Sequence, residues 1–469
     1  MKIKIKHKEI KDISALAKEL NVEAYLVGGY VRDTILEIEC TDIDIMVIGD
    51  AISFGESVAK HFNKELSAVY KNFGTALLNI NRLKIEFASA RKESYNRDSR
   101  KPKVEMSNLE DDLSRRDFTI NALAVLLDGK CEVIDRFNGL EDLKNGIIKT
   151  PLDPEKTFDD DPLRMLRAIR FASRFNFSIE EKTFEALSKY KKRLNDNIVS
   201  KERIANEFLS ILKSPVPSVG LNLLYLTGLM ELVFPEIEKL AGIEQKKEYH
   251  HKDVFYHTLE VVDNTAKKTD KVWLRFAALV HDIAKPKTKR FVEGTGWTFH
   301  GHEEMGARMM KKIFERMRLP LTQLEYVEKL IRLHLRPIPL ASDDVTDSAI
   351  RRLAAEAGED LEDLLILCRA DITSKNPEKM KKFMNNYEII ERKIIEVQEK
   401  DKLRNFQSPV RGEEIMQICN LNPCKTVGTI KKAIEEAILD GIIANNYDEA
   451  KEYLLKIKDD ILKNAESNK

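Results

Sequence analysis

The chain has 469 residues, 43% hydrophobic and 33% charged, which sets it among globular proteins rich in charged helices and makes it too long for one ordinary core. Lys+Arg and Asp+Glu both number 78, and this zero net charge leaves nucleic acid open as a partner, because binding needs only a local basic surface. Five scattered cysteines without a C-x-x-C argue for reduced thiols in a cytoplasm, MKIKIKHKEI lacks the apolar run of a signal peptide, and no stretch approaches the ~20 apolar residues of a membrane span.

Residues 24–48 carry the first constellation. AYLV is a short apolar run that reads as a buried strand. Gly28 and Gly29 end it in a tight turn, Val31–Ile38 has helical spacing, and IDIMVI returns as a second strand. Asp42 and Asp44 stand two apart on that strand, so both carboxylates point to one side. Paired carboxylates beside a turn that bares backbone N–H groups suit Mg²⁺ and a nucleoside triphosphate. A lone Gly-Gly is ordinarily a turn and a lone Asp-x-Asp a solvated strand end; the ordered combination carries the signal.

Ala51 to His61 then reads as a helix, and AVYKNFGTALLNI with RLKIEFASA as a pair of strands. Glu86 on the second of these is either a third metal ligand or a solvated edge glutamate. Arg91, Lys92, Arg97, Arg100, Lys101 and Lys103 crowd a segment with little apolar periodicity, read as a mobile basic loop that serves as a lid near phosphates. In RRDFTINALAV, Asp117 is expected to cap a helix starting near Phe118, with Arg115 and Arg116 just outside it to grip phosphate oxygens. A strand, a turn and a short helix close a mixed region over residues 1–140.

Strand character fades from residue 141 to 240. Asp161–Pro162 makes a cap and first-turn pair for a helix, and Arg164, Arg167 and Arg170 recur along it beside an apolar stripe of Leu163, Leu166 and Ile169. Set next to a triphosphate site, Asp161 and Arg164 would hydrogen-bond the Watson–Crick edge of a base while Arg167 and Arg170 meet phosphates. Residues 241–375 hold a second constellation: His257 on a helix, a helix-borne His281–Asp282 pair with Lys285 one turn on, His300 and His302, His334, and Asp371. Seven of the nine histidines fall between His250 and His334. A lone histidine on an apolar face is ordinarily a core residue, but this grouping is better explained by a divalent metal, with His257, His281, Asp282 and Asp371 as ligands. Residues 376–469 read as a charged helical region, either a solvated bundle or a module that grips RNA backbone.

In this order LVGGYVRD, TDIDIMV, LEDDLSRRDFTINALA and DDDPLRMLRAIRFASRF resemble the polymerase-β-type nucleotidyltransferases, in particular the class II, bacterial-type CCA-adding tRNA nucleotidyltransferases and poly(A) polymerases. The histidine region resembles the HD phosphohydrolase superfamily. The resemblance implies an α+β protein: a small mixed-sheet head (1–140), then an all-α neck (141–240), HD domain (241–375) and tail (376–469). It implies template-independent addition of CCA to a tRNA 3′ end from CTP and ATP. Asp42 and Asp44 would bind Mg²⁺; Gly28, Gly29 and Arg32 would contact the triphosphate; Arg116, Asp161, Arg164, Arg167 and Arg170 would bind the incoming nucleotide. The family's Glu-Asp-x-x-Arg motif appears here as Asp160-Asp161-Pro162-Leu163-Arg164, with the shorter acid in the first place. Poly(A) polymerase and CC- or A-only addition are alternatives of the same chemistry. An HD phosphohydrolase working with Mg²⁺ or a transition metal is the alternative of another class, and a pure RNA-binding protein is a weaker third.

Overall fold

The computed structural model describes all residues except 97–98, 196–197, 244–252, 295, 342–344, 374–375, 402–407 and 467–469. Contacts divide the chain into two compact units, residues 1–238 with 316–319, and residues 239–315 with 320–469.

The first unit is built on a mixed sheet. Its strands are β1 (Ala24–Val27), β2 (Asp42–Val47), β3 (Ala68–Tyr70), β4 (Thr75–Ile80), β5 (Leu83–Ser89), β8 (Leu123–Leu126) and β9 (Val133–Asp135); β6 (Arg91–Asn96) and β7 (Ser99–Met106) form a separate hairpin. The sheet order is β3-β4-β5-β2-β1-β8-β9. β2 pairs with β5 in parallel and with β1 antiparallel. β1 is buried along its whole length, as its unbroken apolar run requires of a central strand covered on both faces. The helix Ala51–His61 lies on β4 and β5, where Gly55 allows close approach: a Cβ there would stand 3.2 Å from the Phe87 ring.

Two sequence expectations change here. RRDFTINALAV does not enter an α-helix. Phe118 is extended, Thr119–Asn121 makes a single 3₁₀ turn, and Leu123–Leu126 continues as β8 against β1. The open edge of β1 takes the apolar Leu-Ala-Val-Leu run, and tertiary pairing overrides a helical start. The expected basic loop is an antiparallel hairpin, with Arg91 opposite Met106 and Lys92 opposite Glu105; Arg97 lies outside the described residues, as do the side chains of Arg100, Lys101 and Lys103.

Beyond the sheet the first unit is helical. Leu163–Phe175 buries Leu163, Leu166, Ile169 and Phe171 and packs on the helix Lys201–Leu212. Asp161 ends the preceding helix, and Pro162 takes the cap position one residue later than expected. The second unit is helical apart from a short hairpin, β12 (Arg290–Val292) with β13 (Gly296–Thr298); a further two-residue pair, β10 (Ile147–Ile148) with β11 (Ser178–Ile179), belongs to the first unit. Residues 410–454 hold a small core of their own, in which Val410, Ile415, Ile430, Ile434 and Leu454 are buried together. Among the described residues, no helix is long and apolar enough to cross a membrane.

Candidate active site

Register places the carboxylates. Val27, the last residue of β1, stands opposite Asp44, so the Gly28–Gly29 turn begins beside that side chain. Asp44 is in turn opposite Glu86 on β5. On the same face of the sheet, Met46 is buried with Tyr25, Val27 and Leu113, so one face runs from dry core at Met46 to open cleft at Asp44 and Asp42. Leu113 belongs to the helix Leu109–Ser114, and the residues just beyond its end deliver Arg116 to the cleft. Gly28 has φ +67°, and a Cβ there would sit 2.8 Å from Arg116 Nη1 and 3.2 Å from Asp44 Oδ2. The turn therefore needs glycine on both counts, backbone conformation and space.

A cavity of about 520 Å³ opens over this face, lined by Gly28, Gly29, Arg32, Asp42, Asp44, Arg116, Asn121, Arg167, Arg170, Phe171 and Arg174 among others. Each of its five arginines is tethered by an acid, and no tether is Asp42 or Asp44. Arg32 Nε donates to Asp33 Oδ1 at 2.7 Å, and Arg116 Nη2 lies 2.9 Å from Asp112. Arg167 Nε donates to Asp117 at 2.7 Å, Arg170 Nε lies 2.7 Å from Glu207, and Arg174 Nη2 lies 3.3 Å from Asp33. Phe171 stands beneath three of them: the guanidinium carbons of Arg32, Arg167 and Arg170 are 5.0, 5.5 and 4.4 Å from its ring centre. An aromatic face attracts each cation and holds it flat, which offsets part of the repulsion among like charges. The result is a preorganised field for phosphate oxygens.

The charges respond to one another. Burial pushes the Asp44 carboxyl above the ordinary range, Arg116 pulls it back and Asp42 adds to the rise. Glu86 is likewise raised by burial and by the neighbouring Asp44 charge. Burial also works against the charge of Asp117, but Arg167 and a hydrogen bond from Asn121 outweigh it and bring that carboxyl down to about 2. Among the described residues, neither Asp42 nor Asp44 has an ion pair or hydrogen bond through its carboxylate. Two acids on one face, crowded by Glu86 and left without a protein cation of their own, form a donor set that fits hard divalent ions.

Asp161 and Arg164 stand outside this cavity lining. Asp161 is buried and accepts from the Leu163 amide at 3.1 Å, while Arg164 Nη2 donates to the Arg115 carbonyl at 2.6 Å. Helix geometry gives the reason. At about 100° per residue, Arg167, Arg170 and Arg174 share an arc of roughly 60°, whereas Arg164 stands about 120° from Arg170. The sequence reading passed over Asp33, Asn121, Phe171, Arg174 and Glu207. Arg174 was available from the helical spacing in RAIRFASRF; Glu207, on a different helix from its partner Arg170, gave no local signal.

The second unit gathers the histidines. His257, His281 and Asp371 form one group of converging ligand atoms and Asp282, His302 and His334 another, within each of which the atoms lie within 4.8 Å of one another. His257 Nε2 is 2.9 Å from Asp371, His281 Nε2 is 3.2 Å from Asp282, and His302 Nε2 is 3.2 Å from Asp282. His281 and Asp282 are not within a helix, as expected, but just past the end of Val272–Val280. His334 and Asp371 also sit at helix ends. There the last carbonyls have no intrahelical partner, and two of them accept from imidazoles: Ala278 from His281 Nδ1 at 2.8 Å and Ile331 from His334 Nδ1 at 2.6 Å. The loop carbonyl of Phe299 does the same for His302 at 2.7 Å. With Nδ1 donating, Nε2 turns inward as a lone pair. His281 Nε2 is buried without a well-formed hydrogen bond, which fits a cation beside it, while Asp282 Oδ2 lies 2.6 Å from Lys285 Nζ. His302 and His334 join the set that sequence reading confined to His257, His281, Asp282 and Asp371; His300 is exposed and does not.

A paired-carboxylate sheet edge facing an arginine field defines a polymerase-β-like nucleotidyltransferase class, here followed by a helical HD region. The comparisons agree: the family profile described as "Poly A polymerase head domain" matches residues 24–149, "Probable RNA and SrmB- binding site of polymerase A" residues 176–240, and "HD domain" residues 254–376. The chain belongs to the bacterial-type tRNA nucleotidyltransferase family. It is 32% identical to the A-adding tRNA nucleotidyltransferase of Deinococcus radiodurans over 70% of this chain and 75% of that one. It is 33% identical to the multifunctional CCA protein of Vibrio parahaemolyticus over 75% and 85%. A solved CCA-adding enzyme without ligand superposes with a TM-score of 0.63 at 25% identity over 96% of this chain and 92% of that one. A tRNA nucleotidyltransferase complexed with a primer tRNA and an incoming ATP analog gives 0.58 at 27% identity over 81% and 98%.

Proposed function

We propose that this protein is a cytoplasmic enzyme that extends the 3′ end of tRNA with CTP and ATP without a template, completing the CCA end. The observation that carries the reading is the coincidence, in one cavity, of two unpaired carboxylates and five tethered arginines. The reaction is attack of the RNA 3′-hydroxyl on the α-phosphorus of the nucleotide, with pyrophosphate leaving. Divalent ions on Asp42 and Asp44, Mg²⁺ by the hardness of the donors, would lower the pKa of that hydroxyl and offset charge on the leaving oxygens. The protein's own part is positioning. Arg32, Arg116, Arg167 and Arg170 meet the phosphates, the glycine turn lets them approach, and the short Asp161–Arg164 step offers a fixed donor and acceptor pattern to a base. C and A share an exocyclic amine at a position where U and G carry a carbonyl, so one such pattern accepts both.

The HD cluster supports a second, metal-dependent phosphohydrolase activity with His257, His281, Asp282, His302, His334 and Asp371 as ligands. The names of the relatives also favour a narrower reading of the head: proteins named as A-adding stand beside those named as CCA proteins. One assay separates these readings. Transfer RNA lacking its last three nucleotides, and tRNA ending in CC, are each supplied with CTP and ATP, and the products are sequenced. CCA on the first substrate is expected. Growth only on the second reduces the reading to A addition. Growth by an Asp44→Ala variant at the parent's rate would remove that acid from the chemistry.

A further inference from the structure

The hairpin β12–β13 lies in the chain between Lys285, whose Nζ is 2.6 Å from Asp282, and His302 of the same cluster. Its surface is unusual for a soluble protein. Phe291 is 65% exposed, Trp297 38% and Val292 44%. Phe291 and Trp297 face each other across the ladder with ring centres 5.3 Å apart, edge to face. Lys289, two residues before Phe291, therefore points to the same side, and its Nζ lies 4.4 Å over the Trp297 ring. Arg290 is exposed and, paired with Thr298, points to the opposite face of the hairpin; Glu293 is the acid in its turn. Further down the same side, Lys285 lies 5.6 Å over the ring of Phe299, whose carbonyl holds His302. Aromatic rings and cations thus alternate from the hairpin to the metal cluster.

An exposed apolar face alone would suit any partner. Exposed rings with a lysine set over one of them suit a strand that carries a π-face and a negative charge at every step. We propose that this hairpin is a docking surface for single-stranded RNA, with an unpaired base stacked on Phe291 and the next phosphate held by Lys289. The surface is distinct from the cavity that faces Asp42 and Asp44.

The chain has two tryptophans, and Trp273 is packed on Phe314, so a Trp273→Phe protein reports from Trp297 alone. An eight-nucleotide oligoadenylate, labelled for anisotropy, is titrated into that full-length protein without nucleoside triphosphates. Saturable quenching of Trp297 is expected. Phe291→Ser should weaken the affinity read by quenching roughly tenfold, with the melting temperature unchanged. Lys289→Ala should reduce its salt dependence, whereas Arg290→Ala on the opposite face should not. Anisotropy that rises while Trp297 emission stays constant would place the oligonucleotide elsewhere and overturn the proposal. So would a change in Trp297 emission driven by protein concentration alone, with a dimer in sedimentation, because a second copy would then own this face.

Discussion

Phe171 shows how the charge field of the head depends on an apolar residue in the cavity wall. Three cavity arginines share its ring, Arg167 and Arg170 from its own helix and Arg32 from the helix Gly29–Ile35. Replacing it with leucine keeps the apolar volume but removes the quadrupole that holds the guanidiniums flat. At about 0.5–1 kcal/mol for each cation–π contact, a rise of roughly tenfold in KM for ATP and CTP is expected, with kcat within about twofold. Steady-state kinetics check this; a fall in kcat at constant KM would assign Phe171 another role. Asp117 has a readout in pH. Its folded pKa of about 2 is depressed below the ordinary 3.8 of a free aspartate, so its contribution is complete above the unfolded value and is lost as pH falls from about 4 through 2. The effect is about 2 kcal/mol on the scale of 1.36 kcal/mol per unit. Acid unfolding of an Asp117→Asn variant should therefore lose less stability than the parent over that window. Equal acid slopes for parent and variant would mean the Arg167 pair contributes nothing to folding.

At the scale of elements, the β1–turn–helix unit is the most constrained piece of the head. Gly28 combines a left-handed φ with a Cβ position that Arg116 and Asp44 already bound. Gly28→Ala should push the Arg116 guanidinium off the cleft and cost about a hundredfold in nucleotide addition, the order of loss when a reacting group is misplaced by an ångström. The far-ultraviolet circular dichroism should be unchanged. An active alanine variant would mean that the turn relaxes without moving Arg116. In the second unit the recurring device is the helix end. His281, His334 and Asp371 each follow the last residue of a helix, and two of the imidazoles use helix carbonyls to fix their tautomer.

For the whole molecule, the division into two units predicts separable behaviour. The HD cluster sets a buried Asp282 and a partly exposed Asp371 among four histidines; without a cation His281 is held protonated, its pKa raised to about 10 by Asp282 and Asp371 against the cost of burial. Removing bound metal with a chelator should lower the melting of the unit that contains residues 320–469 by about 5–10 °C, corresponding to roughly 2–3 kcal/mol of linked binding. Unfolding of the head, followed through nucleotide-dependent protection, should not move with it. Melting unaffected by chelation, together with no metal retained on gel filtration, would deny the cluster a resident ion.

Sequence alone determined the paired acids on one strand, the glycine turn, the arginine-bearing helix and a histidine-rich second half, because each is a local pattern with period two or period 3.6. It also determined the family, through motifs in a fixed order. Tertiary structure decided what those residues meet. β8 became a strand because β1 had a free edge, Arg164 left the cavity that Arg167, Arg170 and Arg174 share, and His302 and His334 joined the cluster around Asp282 while His300 stayed outside. Glu207 and Asp33 acquired their links to Arg170 and Arg174, and Phe171 its contact with Arg32, only through packing, since a partner on a distant element leaves no periodic trace in the chain.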